Sequence, residues 1–236
     1  MRSLSHLTAV ILAGGLGTRL RQGGGQGQKV LASIQGKPFL VYLLEWVADF
    51  GVRHAVLCTG YRGDEVKSAL GERWKAVRLS YSQEPVALGT AGALRLALPL
   101  CQSDPLLVMN GDSYYAINLE AFFAWHCHQK ALGSLALAYE SNFSRYGQVV
   151  VEAEGNISRF VEKGKAAGPG WINAGIYLLS HSLLNTIPPQ QPVSLELEMF
   201  PRWIADGILG YRTTGRFIDI GTPESLALAE AFFGGT

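Results

Sequence analysis

"VILAGGLGTRL", Val10 to Leu20, closes a short apolar run with three glycines, a threonine and an arginine. Leu7 to Ala13 is apolar and partly β-branched, which predicts a buried strand that stops at Gly14-Gly15. Glycine lets backbone N–H groups approach a ligand closely. Successive amides make an anion-binding concavity and Arg19 adds a forked cation, so the loop suits phosphate. The same residues also make an ordinary strand-ending turn with a solvated arginine. Two familiar phosphate motifs are absent. After Gly15-Leu16-Gly17 come Thr18 and Arg19, with Leu20 where a dinucleotide fingerprint needs its third glycine. Gly27-Gln28-Lys29-Val30 lacks the Ser or Thr of a Walker loop.

Outward from this strand, β-like and helix-like runs alternate. Val52–Thr59, Val77–Ser82 and Leu106–Met109 read as strands, and Phe39–Phe50, Asp64–Leu70 and Ala91–Leu98 as helices. That order predicts a parallel sheet with helices on both faces, its ligands beyond the carboxyl ends of the strands. Further on, Gln148–Val151 and Ile157–Phe160 read as a hairpin, Trp171–Leu179 as a strand and Leu195–Ile204 as a helix. Ile208–Tyr211 and Phe217–Ile220 are expected to pair with each other. Gly221-Thr222-Pro223 opens a last helix to about Phe232.

The 236 residues fit one domain, 1–236. With 48% apolar and 17% charged residues the chain can bury a large core. A net charge of +1 gives no electrostatic case for nucleic acid. No apolar run approaches the roughly 20 residues of a membrane helix, and Met1–Leu7 is too short and polar for a secretory signal. Cys58, Cys101 and Cys127 are odd in number and widely spaced, which favours reduced thiols and a cytoplasmic location.

Asp112 in "NGDS" follows the Leu106–Met109 strand, and Asp219 sits inside the apolar run "FIDIGT". Two carboxylates converging at one mouth can bind Mg²⁺, which takes one or two carboxylates plus phosphate and water. A helix cap at Asp112 and an exposed strand face at Asp219 are the plainer alternatives. Lys163 of Glu162-Lys163 can neutralise a second phosphate as a point charge, or belong to a surface ion pair. Asn173 interrupts an apolar strand, where its amide serves either a hydroxylated ligand or a bulge. His126 and His128 in "WHCHQK" are two apart and do not share a helical face, so they are not read as a metal site.

Taken in order, "LAGGLGTRL", Lys29, "LGTAGAL" from Leu88, "NGD" at Asn110, "EK" at Glu162, "NAGIY" at Asn173 and "DIGTP" at Asp219 resemble the signature set of the sugar-1-phosphate nucleotidyltransferases. The resemblance spans nearly the whole chain. It implies an α/β, Rossmann-like fold with a mixed, mostly parallel sheet flanked by helices (the nucleotide-diphospho-sugar transferase fold). It also implies the reaction NTP + sugar 1-phosphate → NDP-sugar + pyrophosphate. By position, Leu12, Ala13, Gly14, Gly15, Gly17 and Thr18 would bind the nucleotide, with Glu84, Gly89 and Thr90 around the base. Arg19 and Lys29 would stabilise the departing pyrophosphate, Asp112 and Asp219 would hold Mg²⁺, and Lys163 would grip the sugar phosphate. Gly147, Glu162 and Asn173 would face the sugar. One departure stands out: the family usually has proline before the signature lysine, and here Gln28 precedes Lys29, which puts the loop's preorganisation and turnover in question.

"FSRYGQV" (Phe143–Val149) and "FIDIGTPE" (Phe217–Glu224) most resemble the branch that transfers guanylyl groups to D-glycero-D-manno-heptose 1-phosphate. Mannose 1-phosphate, or a uridylyl or thymidylyl transfer, is the alternative. Guanine presents donors at N1 and N2, which a carboxylate such as Glu84 can read, whereas Gln83 would suit a pyrimidine. The expected partners are an NTP (GTP first) and a sugar 1-phosphate, with a homodimer also allowed. Two rivals differ in class. A glycosyltransferase would place a D-x-D cluster near the fourth strand, where Asp112 is alone; a non-catalytic nucleotide-binding regulator would not need Arg19, Lys29, Asp112 and Asp219 together.

Overall fold

The computed structural model describes residues 3–15, 27–165 and 167–234. In chain order the strands of the first half are β1 (Thr8–Leu12), β2 (Ser33–Ile34), β3 (Lys37–Pro38), β4 (His54–Thr59), β5 (Arg73–Trp74), β6 (Val77–Gln83) and β7 (Leu106–Asn110). Those of the second half are β8 (Ser113–Tyr115), β9 (Gly133–Glu140), β10 (Gln148–Val151), β11 (Ile157–Val161), β12 (Gly170–Leu179), β13 (Leu209–Arg212) and β14 (Phe217–Asp219). The helices are α1 (Phe39–Asp49), α2 (Gly63–Leu70), α3 (Gly89–Ala97), α4 (Leu119–Gln129), α5 (His181–Asn185), α6 (Phe200–Trp203) and α7 (Pro223–Gly234).

An eight-stranded sheet runs β13-β9-β12-β7-β1-β4-β6-β5. The pairs β7/β1, β1/β4 and β4/β6 are parallel, as the alternating pattern predicts. β12 lies antiparallel between β7 and β9, and β13 is parallel to β9, so the sheet is mixed. Along β1, Ala9 and Ile11 enter one core and Val10 the other, the period-2 signature of a strand buried on both faces. α1 covers the first face with Leu40, Leu43, Leu44 and Val47, at helical spacing. α3 covers the second with Ala91, Leu94 and Ala97. No described helix is long and apolar enough to cross a membrane.

The expected pairing of Ile208–Tyr211 with Phe217–Ile220 is not what forms. β13 joins the sheet edge beside β9, and β14 pairs antiparallel with β8. β9 is the reason: "GSLALAYE" is buried over its first six residues and supplies an edge that β13 extends. The hairpin β10/β11 forms as expected, with a bulge between Val150 and Val151. The expected helix Leu195–Ile204 begins as a π-helical turn, Leu195–Met199, before α6.

Candidate active site

The carboxyl ends of β1 and β7 lie side by side, with Leu12 in register with Asn110. Gly111 N–H donates to the Leu12 carbonyl at 3.0 Å, and a Cβ at Gly111 would stand 2.5 Å from that oxygen, so the close approach requires glycine. The β8/β14 pairing then sets Asp219 opposite Ser113, and Ile220 N–H donates to the Asp112 carbonyl at 2.9 Å. Two aspartates 107 residues apart thereby become neighbours across one two-stranded ribbon. Lys29 Nζ donates to Asp112 Oδ2 at 2.5 Å from the short 3₁₀ turn Lys29–Leu31.

Asp219 is gripped on both oxygens. Tyr146 Oη donates to Oδ2 at 2.6 Å, with Arg145 at 3.4 Å. Gly221 N–H at 2.7 Å and Ser225 Oγ at 3.2 Å donate to Oδ1. Burial, then the Asp219 carboxylate, pushes the Tyr146 phenol well above its usual range, so it stays a donor.

Asp112, Gly147, Glu162, Lys163, Asn173 and Asp219 line one cavity of about 780 Å³. Gly147 turns the chain into β10 at φ +80°, where a Cβ would meet the Val161 carbonyl at 2.5 Å. Glu162 pairs with Lys165 at 2.8 Å. Asn173 accepts from Gly175 N–H and donates to Tyr177 Oη, each at 3.0 Å, where the β9/β12 register shifts. Its amide thus serves the bulge as well as lining the cavity.

At the glycine-loop end of the site, Ala13 N–H donates to the Cys58 carbonyl at 2.8 Å, which carries the chain toward Gly14 beside β4. A Cβ on Gly14 would stand 2.6 Å from Glu84 Oε1, while one on Gly15 would meet nothing within 4 Å. Glu84 Oε2 accepts from Leu88 N–H at 2.6 Å. Burial raises the Glu84 carboxyl, and the Leu88 amide partly offsets it. Gly89 starts α3 at φ +69°, packed on the Val193 carbonyl, and Thr90 Oγ1 accepts from Leu195 N–H at 2.8 Å. Gly17, Thr18 and Arg19 lie outside the described residues.

Four further functional candidates have no role assigned from the sequence. Tyr146 and Arg145 act on Asp219 from a 3₁₀ turn and its C-cap. Asn110 lines the cavity at the end of β7, and Glu196 enters it from the π-helical turn. Asn110 belongs to "NGD", and Arg145 and Tyr146 to "FSRYGQV", motifs that carry the resemblance without giving these three a role; Glu196 carried no signal. Gln28 is 4% exposed, and both atoms of its amide lack a hydrogen-bond partner among the described residues. His126 is buried and bonded through Nδ1 to Ser134 Oγ at 2.8 Å, a structural role.

The donor set fits Mg²⁺, a hard cation that asks for one or two carboxylates. Asp112 is 43% exposed toward the cavity, and its Oδ1 has no hydrogen bond among the described residues. Asp219 is oriented by its donors, and a carboxylate oxygen has a second lone pair to give. No group of three or more His, Cys, Asp or Glu gathers among the described residues, so a richer protein cage is not on offer there.

This mixed sheet, with the candidate site at the carboxyl ends of β1 and β7, defines an α/β protein of the kind that binds ligands beyond its strand ends. Residues 8–234 match the nucleotidyl transferase family, and the chain belongs to it. It is 31% identical over 225 residues to the D-glycero-alpha-D-manno-heptose 1-phosphate guanylyltransferase of Aneurinibacillus thermoaerophilus, across 95% of this chain and 97% of that protein. It is 36% identical over 224 residues to the mannose-1-phosphate guanylyltransferase catalytic subunit beta of Xenopus tropicalis, across 92% of this chain and 62% of that longer one. The crystal structure of HddC from Yersinia pseudotuberculosis complexed with GMP-PN is similar with a TM-score of 0.85 at 30% identity, covering 96% of this chain and 99% of that one. The fold is that of the nucleotide-diphospho-sugar transferases.

Proposed function

We propose that this protein is a Mg²⁺-dependent guanylyltransferase that converts GTP and a sugar 1-phosphate into GDP-sugar and pyrophosphate within one domain. D-glycero-D-manno-heptose 1-phosphate is the first sugar substrate, and mannose 1-phosphate the second reading, favoured by the Xenopus relative. The observation that carries the reading is the β8/β14 pairing, which brings Asp112 and Asp219 to one cavity shared with Lys163.

In this reading Asp112 and Asp219 hold the metal, which supplies charge neutralisation at the phosphates. Lys29 exchanges its Asp112 contact for the phosphates, and Arg19 joins it as pyrophosphate leaves. Gly14 and Gly15 give the chain room to wrap the triphosphate, with Leu12 and Ala13 beneath it. Glu84, Gly89 and Thr90 bound the base. Lys163 takes the sugar phosphate, with Gly147, Glu162 and Asn173 facing the sugar. One oxygen of that phosphate bonds to the α-phosphorus as the bond to pyrophosphate breaks. It is already a nucleophile, so positioning and charge neutralisation suffice without a general base. The three unpaired cysteines accord with a cytoplasmic enzyme.

A matrix of four NTPs against several sugar 1-phosphates, read by pyrophosphate release, tests this. The expected result is release with GTP and a manno-configured sugar 1-phosphate. Consumption of an NDP-sugar without pyrophosphate release would support a glycosyltransferase instead.

A further inference from the structure

Asp219 stands just before α7, and its Oδ1 oxygen faces the first turn of that helix. Gly221 N–H closes an Asx turn onto Oδ1 at 2.7 Å. Thr222 caps the helix: its carbonyl accepts from Leu226 N–H at 3.0 Å and its Oγ1 from Ser225 N–H at 3.2 Å. Ser225 Oγ returns the bond by accepting from Thr222 N–H at 3.0 Å, so Thr222 and Ser225 form a capping box. The helix itself is seated on α1, with Phe233 against Tyr42 at 4.0 Å and Phe39 at 6.2 Å.

The far residue of such a box is usually Glu or Gln, long enough to reach back to the cap. A glutamate at position 225 would set a second carboxylate beside Asp219 and bring no proton. Serine meets both needs. Its Oγ takes the Thr222 N–H, which leaves its one O–H to give. Three acceptors lie in reach: the Thr222 carbonyl at 3.1 Å, Thr222 Oγ1 at 3.3 Å and Asp219 Oδ1 at 3.2 Å. The carbonyl already serves Leu226 and Oγ1 already serves Ser225 N–H, whereas the carboxylate is the charged acceptor, so the proton goes to Asp219. Ser225 is 1% exposed, too deep for a ligand in the cavity to touch, and it acts on the site through Asp219.

We propose that Ser225 is a positioning residue for the metal carboxylate Asp219: its hydroxyl fixes Oδ1 and ties the start of α7 to the metal site. The proposal rests on the Mg²⁺-dependent reading above, in which Asp219 is a ligand. Outer hydrogen bonds of this kind set where a ligand carboxylate points, and a metal is bound more weakly when they are lost. Thr222 belongs to the same box and has no side-chain hydrogen bond to Asp219 among the described residues, so substitution can separate the cap from the carboxylate.

The test compares wild type, Ser225→Ala and Thr222→Ala. Each protein carries an equimolar GTP analogue with a methylene α–β bridge. Mn²⁺, which takes the same oxygen ligands as Mg²⁺, is titrated in and its free concentration read by electron paramagnetic resonance. Ser225→Ala should weaken Mn²⁺ retention roughly tenfold, the low end for a lost outer hydrogen bond, because Tyr146, Arg145 and Gly221 still hold Asp219. Thr222→Ala loses the cap instead, so its urea midpoint should fall while Mn²⁺ retention stays within about twofold. Thr222 also lines the cavity, so the two variants are compared on the metal and not on turnover. Mn²⁺ retention within about twofold of wild type in Ser225→Ala overturns the proposal. Equal weakening in both variants also overturns it, and makes the helix cap as a whole, rather than the hydroxyl, what sets Asp219. If wild type retains no more Mn²⁺ than the analogue alone, the underlying metal reading has failed instead.

Discussion

Lys29 Nζ stands 2.5 Å from Asp112 Oδ2, and the lysine is the more buried partner, at 12% exposure against 43%. The pair neutralises a cation and an anion that the proposed reaction uses separately. Asp112→Asn removes a metal carboxylate, which is worth several kcal/mol to a phosphoryl transition state, so turnover should fall by at least about 100-fold. A half-exposed pair adds little to folding, so the unfolding midpoint should hardly move. Pyrophosphate release at saturating GTP beside a urea titration checks both. Near-normal turnover at limiting Mg²⁺ would remove Asp112 from the metal site.

Tyr146 sets Asp219 through the 2.6 Å bond to Oδ2, and its ring packs edge-on against Phe217 at 5.5 Å. Tyr146→Phe keeps the ring and deletes the donor. Asp219 then keeps Arg145, Gly221 N–H and Ser225, so it remains a ligand with a looser orientation. The expected outcome is a several-fold rise in the Mg²⁺ concentration for half-activity, with kcat at saturating Mg²⁺ nearly retained. Asp219→Asn should abolish most turnover at any Mg²⁺. Calorimetric Mg²⁺ titration of both variants separates the two behaviours.

The parallel half of the sheet could be read from the chain because β1, β4 and β7 are short apolar runs ended by Gly, Thr or Asn, and β6 alternates apolar and polar residues. β9 does not stand out although "LALAY" is apolar, since its first residues, Gly133-Ser134, read as a turn rather than a strand. That omission also misassigned the partners of β13 and β14, because pairing is decided by which edges are free. Asp112 and Asp219 were read as a pair, while the β8/β14 register that joins them depends on contacts between residues a hundred positions apart. Glu196 had no signal at all. "LELEMF" reads as an amphipathic helix, and only the π-helical turn carries one of its acids into the cavity.

Glu84 directly follows β6, at the start of the turn into α3. Oε2 caps the turn at Leu88, and Oε1 faces the backbone of Gly14 and Gly60. If Glu84 reads guanine N1–H and N2–H₂, wild type should prefer GTP over ATP, UTP and dTTP. Glu84→Gln should erode that preference by about 1–3 kcal/mol. Its raised carboxyl adds a pH signature: the preference should be lost as pH falls through a value above the usual 4.5. Competition among equimolar NTPs measures both, and a wild-type preference for UTP or dTTP would sink the guanine reading.

His126 predicts how stability follows pH. Burial depresses the ring below the usual 6.5, against a smaller opposing effect of Asp104. His54 is depressed in the same direction by burial and by Arg78. The unfolded chain therefore takes up these protons first as pH falls. Their stabilisation is present above about 6.5 and is lost as pH drops through the folded values, by up to about 1.4 kcal/mol per pH unit for each group. Urea unfolding from pH 8 to 5 should show a plateau and then a decline. His126→Gln should make that decline shallower.

Gln28 stands where the family usually has proline. Its φ of −75° is one that proline adopts without strain. No hydrogen bond from its backbone N–H is recorded among the described residues. The residue before it is Gly27, which tolerates the restriction proline places on its neighbour. Gln28→Pro therefore narrows the unfolded ensemble, worth about 0.4–1 kcal/mol. It also removes a buried amide with no hydrogen-bond partner among the described residues, a kind of group that costs about 1–3 kcal/mol when left unsatisfied. Loss of side-chain volume opposes part of this, at about 24 cal/mol per Å³ of cavity. A net gain of about 1 kcal/mol is expected in urea unfolding without ligand, with kcat unchanged or raised because Lys29 begins closer to its working position. A loss of stability would mean that the glutamine amide finds a partner in solution and that its place before Lys29 is a structural adaptation of this chain.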